Sequence, residues 1–137
     1  MSVQNNERLL HDYVDTLISG GDFAAYFSDD VLWTTMETGE EVRGREAVRQ
    51  FIIAMHVEAF KAAPELRNTV VGEQGAVIEA VFVGTHIGEI GGIPATGAEV
   101  RLPYTVCYDF ADDKITALRA YLPMAVMMEQ LKAAARG

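Results

Sequence analysis

Few residues in this sequence can carry a proton near neutral pH. The three histidines are His11, His56 and His86, and imidazole is the side chain that titrates in this range. His11 is expected to face solvent, whereas His56, next to a methionine, can reach an internal cavity. Tyr13 lies on the apolar side of a helical segment, where its hydroxyl can donate a hydrogen bond. The candidate catalytic residues are therefore Tyr13, His86 and His56. The structural alternative for Tyr13 is a tyrosine that only packs in the core, and that for His86 is a histidine that only fixes the glycine-rich turn that follows it.

Other chemistries find no support in the sequence. Cys107 is the single cysteine, so neither a disulfide nor a thiolate metal cluster can form within the chain. It alternates with Val106 and Tyr108 and should face the opposite side of their strand. The acidic turn at 109–113 lacks the spacing of a calcium loop, and the glycines at 88–92 precede no helix, as a phosphate loop would require. The sequence thus predicts no metal and no cofactor.

Hydrophobic periodicity predicts the elements that position these residues. Helices are predicted at 3–18, 23–27 and 45–63. Gly20 and Pro64 are expected to end the first and last of them, Asp22 to cap the second, and Pro123 to begin a final helix. Segments rich in β-branched and aromatic residues predict strands at 31–35, 66–71, 77–86, 100–110 and 115–122. With 38–41 as a turn, this order predicts an α+β fold with an antiparallel sheet.

Length and charge limit the function classes. The 137 residues suit one domain, 1–137, that is long enough to bury a core without disulfides or metal. The formal net charge of −9 disfavours a nucleic-acid or anionic-membrane partner, since both require a basic surface. The polar N-terminal residues do not resemble a secretion signal, and no apolar run approaches the roughly 18 residues of a membrane span. We expect a cytoplasmic protein.

The stretch 84–97, GTHIGEIGGIPATG, carries the most specific motif. It resembles the pattern G-T-H-x-G-E-[FI]-x-G-I-P-x-T-G of the SnoaL-like polyketide-cyclase branch of the nuclear-transport-factor-2-like superfamily. The segments 26–33 and 44–48 resemble the first strand and a helix start of that branch, and the resemblance extends from Arg8 to Leu131. It implies a cone-shaped α+β fold, in which a curved antiparallel sheet wraps around helices and one apolar pocket. It also implies a homodimer formed through the outer face of the sheet.

The same resemblance implies cofactor-free proton-transfer chemistry. Cyclases of this branch move a proton from carbon in an aldol step, and their base is usually an Asp just after the last strand. That position falls on Pro123, which cannot transfer a proton. A second resemblance, to the first helix of ketosteroid isomerases, places Tyr13 on the tyrosine that donates to the enolate oxygen. The isomerase base falls near Thr35 or Met36 and its second acid near Val106, so both carboxylates are absent.

A set of aromatic, methionine and aliphatic residues is expected to line the pocket, although plain core packing would explain each of them singly. These residues are Trp33, Met36, Phe51, Met55, Phe60, Tyr104, Val106, Tyr108 and Leu118. Glu79 would supply a carboxylate to the pocket if it pointed inward. On the outer face of the sheet it would pair with water or with a second subunit.

Three functions fit these observations. The first is a cofactor-free cyclase or isomerase acting on a small apolar carbonyl compound, with Tyr13 holding the oxyanion and His86 or His56 moving the proton. The second is a binding protein that holds a hydrophobic small molecule without chemistry, which Pro123 favours. The third is a dimerisation domain with a filled core. An internal cavity distinguishes the first two functions from the third.

Overall fold

The computed structural model describes residues 2–136, which form three α-helices and a seven-stranded sheet. The helices are α1 (Val3–Ser19), α2 (Arg45–Ile53) and α3 (Met124–Arg136). A 3₁₀ turn spans Phe23–Tyr26, and a π-helical turn, Ala54–Ala59, continues α2. The strands are β1 (Phe27–Thr35), β2 (Glu40–Arg43), β3 (Phe60–Ala62), β4 (Glu65–Val71), β5 (Gly75–His86), β6 (Glu99–Ala111) and β7 (Lys114–Tyr121). None of the helices in this part of the chain is long and apolar enough to cross a membrane.

The sheet is mixed rather than antiparallel throughout. Its strand order is β2-β1-β7-β6-β5-β3, and β4 also pairs with β5. All neighbours are antiparallel except β1 and β7, which run parallel. The α+β class predicted from the sequence is confirmed, but the antiparallel prediction was wrong for this one pair. Its two strands lie at opposite ends of the domain in sequence, and local patterns do not reveal such a distant pairing.

The long helix predicted at 45–63 is α-helical only to Ile53 and ends, after the π-helical turn, at Ala59. After Ile53 the chain passes through the π-helical turn, and Phe60–Ala62 then forms β3 against β5. Pairing of Phe60 with His86 overrides the helical periodicity, because tertiary contacts outweigh local propensity. The turn predicted at 38–41 also differs, since β2 already begins at Glu40. Asp22 precedes the 3₁₀ turn but its side chain makes no capping hydrogen bond there.

Helix α1 is held in a fixed position against the sheet. It ends at Gly20, whose φ of 81° is the left-handed conformation that glycine adopts most easily. Near its start, Asn6 Nδ2 donates to the carbonyl oxygens of Gly72 at 2.8 Å and Glu73 at 3.0 Å, in the turn between β4 and β5. This side chain fastens α1 to that turn. Tyr13, two helical turns further on, thereby faces the interior.

The core consists of two clusters. The larger lies between α1, α2 and the inner face of the sheet, and the smaller lies beneath α3. Helix α3 contributes Met127 and Leu131 to the smaller cluster, and both side chains are fully buried. The C-terminal helix is therefore docked on the sheet through this apolar side.

We expect Leu131→Ala to lower the free energy of unfolding by about 2–5 kcal/mol, because it removes buried atoms and leaves a cavity. Leu131 is 0% exposed, whereas Val126 on the same helix is 49% exposed. The matched variant Val126→Ala should change the free energy of unfolding by no more than about 0.5 kcal/mol. Urea denaturation followed by circular dichroism measures both. Equal losses in the two variants would contradict docking of α3 through Leu131.

Candidate functional site

An inner cavity of about 380 Å³ lies between the helices and the inner face of the sheet. Seven of the nine residues expected to line a pocket border it, namely Trp33, Phe51, Met55, Tyr104, Val106, Tyr108 and Leu118. The other two lie elsewhere. Met36 follows the end of β1 and borders a separate cleft beside Glu79 and Tyr121, the sheet cleft. Phe60 belongs to β3 and is fully buried in the smaller core cluster.

Strand alternation explains which side chains of the sheet reach the inner cavity. Val106 and Tyr108 are alternate residues of β6 and point to the same side. Across the ladder Val106 lies opposite Ala120 and Tyr108 lies opposite Leu118, and these partners on β7 border the cavity as well. Cys107, between the two, lies on the other face of the sheet. The wall is therefore built from matched rows of residues on adjacent strands.

Two tyrosine side chains meet at the inner cavity. Tyr13 of α1 is 2% exposed and Tyr108 of β6 is 4% exposed, and their ring centroids lie 5.9 Å apart at an interplanar angle of 69°. Neither hydroxyl has a hydrogen-bond partner among residues 2–136. The hydroxyl of Tyr104 also lacks a partner in this part of the chain, but this residue borders the sheet cleft as well as the cavity. A phenol without a protein partner is a donor that a ligand can use.

Burial keeps these phenols neutral. It raises the pKa of Tyr104 to about 12. Burial also raises the pKa of Tyr13, with a further increase from the neighbouring Tyr104. The pKa of Tyr108 lies well above its ordinary value, mainly through burial and then through the proximity of Tyr13 and Tyr104. The low-polarity surroundings disfavour the phenolates, so all three groups remain hydrogen-bond donors at physiological pH.

His56 stands on the π-helical turn and borders the same cavity. Its Nδ1 lies 3.1 Å from the carbonyl oxygen of Ile52, to which it donates, and its ring meets that of Phe82 edge-on at 5.8 Å. Burial lowers the pKa of His56, and the hydrogen bond to Ile52 opposes this only in part. The ring is therefore neutral near pH 7, with its hydrogen on Nδ1. Its Nε2 carries the lone pair and can accept a proton.

A thin wall separates the inner cavity from the surface at this point. Leu17, Ile52 and His56 border both the cavity and an outer groove of about 950 Å³, which lies between the end of α1 and α2. The outer groove is rimmed by charged side chains, among them Arg45 and Lys114. His56 is thus the titratable residue of the described chain that borders both spaces on this side.

His86 is the last residue of β5, at the start of the glycine-rich segment, and does not border the cavity. It is 0% exposed, and its Nδ1 accepts from the backbone N–H of Thr96 at 3.1 Å and from the Thr96 hydroxyl at 2.9 Å. Its ring packs against Phe60 at 5.4 Å. The structure therefore brings Tyr13 and His56 to one cavity but not His86, whose contacts are those of a residue that fixes the turn.

Sequence reasoning missed the acidic residue of the cavity wall, Glu40. It pairs with Thr35 across the β1–β2 ladder, and both border the cavity together with Thr38. Residues 38–41 were predicted as a turn, so no prediction was made of the side of the sheet to which the Glu40 side chain points. The signal was available in the alternation of Glu40 with Val42, which pairs with Trp33 and so shares the inward side of β2.

The other two acid positions considered in the sequence lie outside the cavity. Glu79 is exposed on the outer face, where its carboxylate accepts from Asn68 Nδ2 at 3.0 Å. Pro123 borders the sheet cleft. No three His, Cys, Asp or Glu side chains of residues 2–136 lie close enough together to hold a metal ion. The inner cavity thus offers neutral phenols, one neutral imidazole and one peripheral carboxylate.

A curled sheet wrapped around helices and an apolar cavity defines the nuclear-transport-factor-2-like fold class. The chain belongs to the SnoaL-like family, because the family model described as the SnoaL-like domain matches residues 11–118. The resemblance carried by the motif at 84–97 is thereby confirmed. Among curated proteins, none matches this chain.

Solved structures share the fold at low sequence identity. A proposed SnoaL-like polyketide cyclase from Jannaschia sp. CCS1 is 18% identical with a TM-score of 0.86, and the match covers 95% of this chain and 93% of the other. AclR, a proposed hydroxylase from Streptomyces galilaeus, is 18% identical with a TM-score of 0.82, covering 96% and 98%. A proposed ketosteroid isomerase from Kribbella flavida DSM 17836 is also 18% identical, with a TM-score of 0.70, covering 88% and 79%. Likeness at these identities shows the cone-shaped fold.

Proposed function

We propose that this chain binds a small apolar carbonyl compound in the inner cavity and catalyses cofactor-free proton transfer on it, as a cyclase-like or isomerase-like protein. The observation that carries this proposal is the placement of a neutral phenol, Tyr13, and a neutral imidazole, His56, on the wall of one apolar cavity. A volume of about 380 Å³ lies within the range of small-molecule sites.

The two residues have complementary roles in the proposed reaction. Tyr13 donates a hydrogen bond to the carbonyl oxygen, which stabilises the negative charge that develops when a neighbouring carbon loses its proton. His56 Nε2 accepts that proton and becomes an imidazolium. The proton then returns to a different carbon in an isomerisation. In an aldol ring closure the enolate carbon attacks a second carbonyl group of the same ligand, whose C=O π bond breaks, and the proton goes to the alkoxide oxygen formed there. Every proton removed is returned, and no electron acceptor is required.

Hydrogen–deuterium exchange tests this proposal directly. We expect the protein to accelerate exchange of the protons next to the carbonyl of 1-tetralone in D₂O, as followed by proton NMR, above the rate in buffer. Tyr13→Phe should lower this rate because it removes the donor. Tyr26→Phe is the matched control, since the Tyr26 hydroxyl lies outside the cavity, 3.4 Å from Thr16 Oγ1. Bound 1-tetralone that exchanges at the buffer rate would contradict catalysis.

A binding protein without chemistry is the second candidate. The resemblance places the catalytic Asp of the family at Pro123, and the carboxylate that does border the cavity, Glu40, is exposed at the hairpin between β1 and β2. A ligand that is retained by the purified protein in native mass spectrometry, and is unchanged after long incubation, would support this function.

We also propose that two copies pair through the outer face of the sheet. This face presents Val77, Cys107 and Tyr121, and Tyr121 is about half exposed. A biological interface should bury at least about 1,000 Å² in total. A monomer in sedimentation velocity at micromolar concentration would contradict this pairing. The cytoplasmic location and the lack of a nucleic-acid partner stay predictions from composition.

A further inference from the structure

Tyr108 is the second buried phenol on the inner cavity, and neither the fold nor the proposed proton transfer accounts for its hydroxyl. Its ring has packing partners, since it stacks on Phe110 at 6.3 Å and meets Tyr13 edge-on at 5.9 Å. A phenylalanine would make the same ring contacts. The hydroxyl has no hydrogen-bond partner among residues 2–136, and an unpaired buried hydroxyl lowers stability.

The hydroxyl of Tyr108 differs from the other unpaired polar atoms of the interior. Within the described chain, Asn6 Oδ1 and His86 Nε2 are the side-chain atoms that are both fully buried and without a hydrogen-bond partner. The Tyr108 oxygen has no partner either, but it is not one of these fully buried atoms. Since the residue itself is 4% exposed and borders the cavity, the surface that its oxygen retains faces that space. A ligand in the cavity can therefore reach it.

Tyr13 and Tyr108 approach the cavity from two different walls. Tyr13 lies on α1 and Tyr108 lies on β6, and their rings are in contact. A carbonyl or enolate oxygen has two lone pairs and can accept two hydrogen bonds. Paired donors that are fixed before binding stabilise an oxyanion more than one donor does.

We infer that Tyr108 is a specificity-determining residue that donates, together with Tyr13, to one ligand oxygen, so that the cavity selects compounds with a carbonyl or enol oxygen over hydrocarbons of the same shape. This inference rests on the proposed function. It adds that the cavity has two donors at one end, and that the acceptor oxygen of the ligand must lie next to these two tyrosines. We do not assign Tyr104 to this pair, because its ring packs against Phe82 at 6.2 Å and it borders the sheet cleft as well as the cavity.

Isotope-edited infrared spectroscopy of bound 1-tetralone labelled with ¹³C at the carbonyl tests the inference. Two donors should move the carbonyl stretch to lower frequency than one, so we expect Tyr108→Phe and Tyr13→Phe each to reverse part of the shift seen in the wild type. Each variant should also bind the ketone about tenfold more weakly. Tyr26→Phe should leave both the frequency and the affinity unchanged.

A thermal melt without ligand provides a second measurement. Because the Tyr108 hydroxyl has no protein partner, Tyr108→Phe should melt at the wild-type temperature or above it. A lower melting temperature would reveal a protein partner and overturn the inference. A wild-type carbonyl frequency in Tyr108→Phe, with a changed one in Tyr13→Phe, would overturn it while leaving the proposed function intact. Failure of the wild type to bind 1-tetralone would overturn both.

Discussion

We expect His56→Ala to exchange the protons next to the carbonyl of 1-tetralone about 10²-fold more slowly than the wild type, or slower still. General base catalysis by a positioned side chain contributes about this factor. His56 fits the role because its Nδ1 is held by the Ile52 carbonyl, which leaves Nε2 as the acceptor. NMR exchange rates at a saturating ketone concentration measure the effect.

The pH dependence of this rate identifies the base. The base must be neutral to accept a proton, and burial lowers the pKa of His56 from its ordinary value of 6.5. The rate should therefore stay level across neutral pH and decline only as the pH falls below 6.5. The free energy of unfolding should change with pH in the same direction. The contribution that neutral His56 makes to it is fully present above pH 6.5 and is lost as the pH falls through the folded-state pKa.

Two other histidines serve as comparisons for this prediction. His11 lies exposed on α1, so His11→Ala should keep the wild-type exchange rate. His86→Ala removes the acceptor of the Thr96 hydrogen bonds and should lower stability more than it changes the rate per folded molecule. Wild-type exchange rates in both Tyr13→Phe and His56→Ala would eliminate the assignment of these two residues as catalytic.

We expect Ala120→Phe to abolish ligand binding while keeping the protein folded. Ala120 lies on β7, is nearly fully buried and borders the inner cavity opposite Val106. A phenyl ring at this position would occupy space that the ligand requires. We expect the Kd for 1-tetralone to rise at least about 10²-fold, which corresponds to about 2.7 kcal/mol. Isothermal titration calorimetry gives the Kd.

The same substitution at an exposed site is the control. Ala47 lies on the solvent side of α2, so Ala47→Phe should bind with wild-type affinity. The melting temperature of Ala120→Phe should be close to that of the wild type, since the ring fills an existing cavity instead of displacing packed atoms. Undiminished affinity in a folded Ala120→Phe variant would place the ligand somewhere other than the inner cavity.

Much of the fold could be predicted from the sequence because its long elements have strong periodicity. The strands of the meander, α1 and α3 all lie close to the predicted segments. The features that were missed depend on distant contacts. The parallel pairing of β1 with β7 and the strand at Phe60–Ala62 are fixed by partners far along the chain, which a local pattern does not contain.

The candidate site could likewise be predicted only where a local pattern determines which way a side chain points. Alternation along β6 placed Val106 and Tyr108 on one side of the sheet, and both border the cavity. The glycine-rich motif drew attention to His86, but motif membership did not show that its ring is held by Thr96. Glu40 was missed because its facing follows from pairing with Thr35, and that pairing requires the hairpin to be known first.

Leu17, Ile52 and His56 border both the inner cavity and the outer groove, so the base of the proposed reaction has one side toward the ligand and one side toward solvent. In the proposed mechanism the imidazolium formed by proton uptake would exchange a proton with water of the outer groove while the ligand stays bound. Several protons of one bound ligand would then exchange with solvent before the ligand dissociates. The rate of deuterium incorporation would therefore exceed the rate of ligand dissociation. An enzyme arranged in this way would behave as an exchange catalyst even toward compounds that it never converts into product.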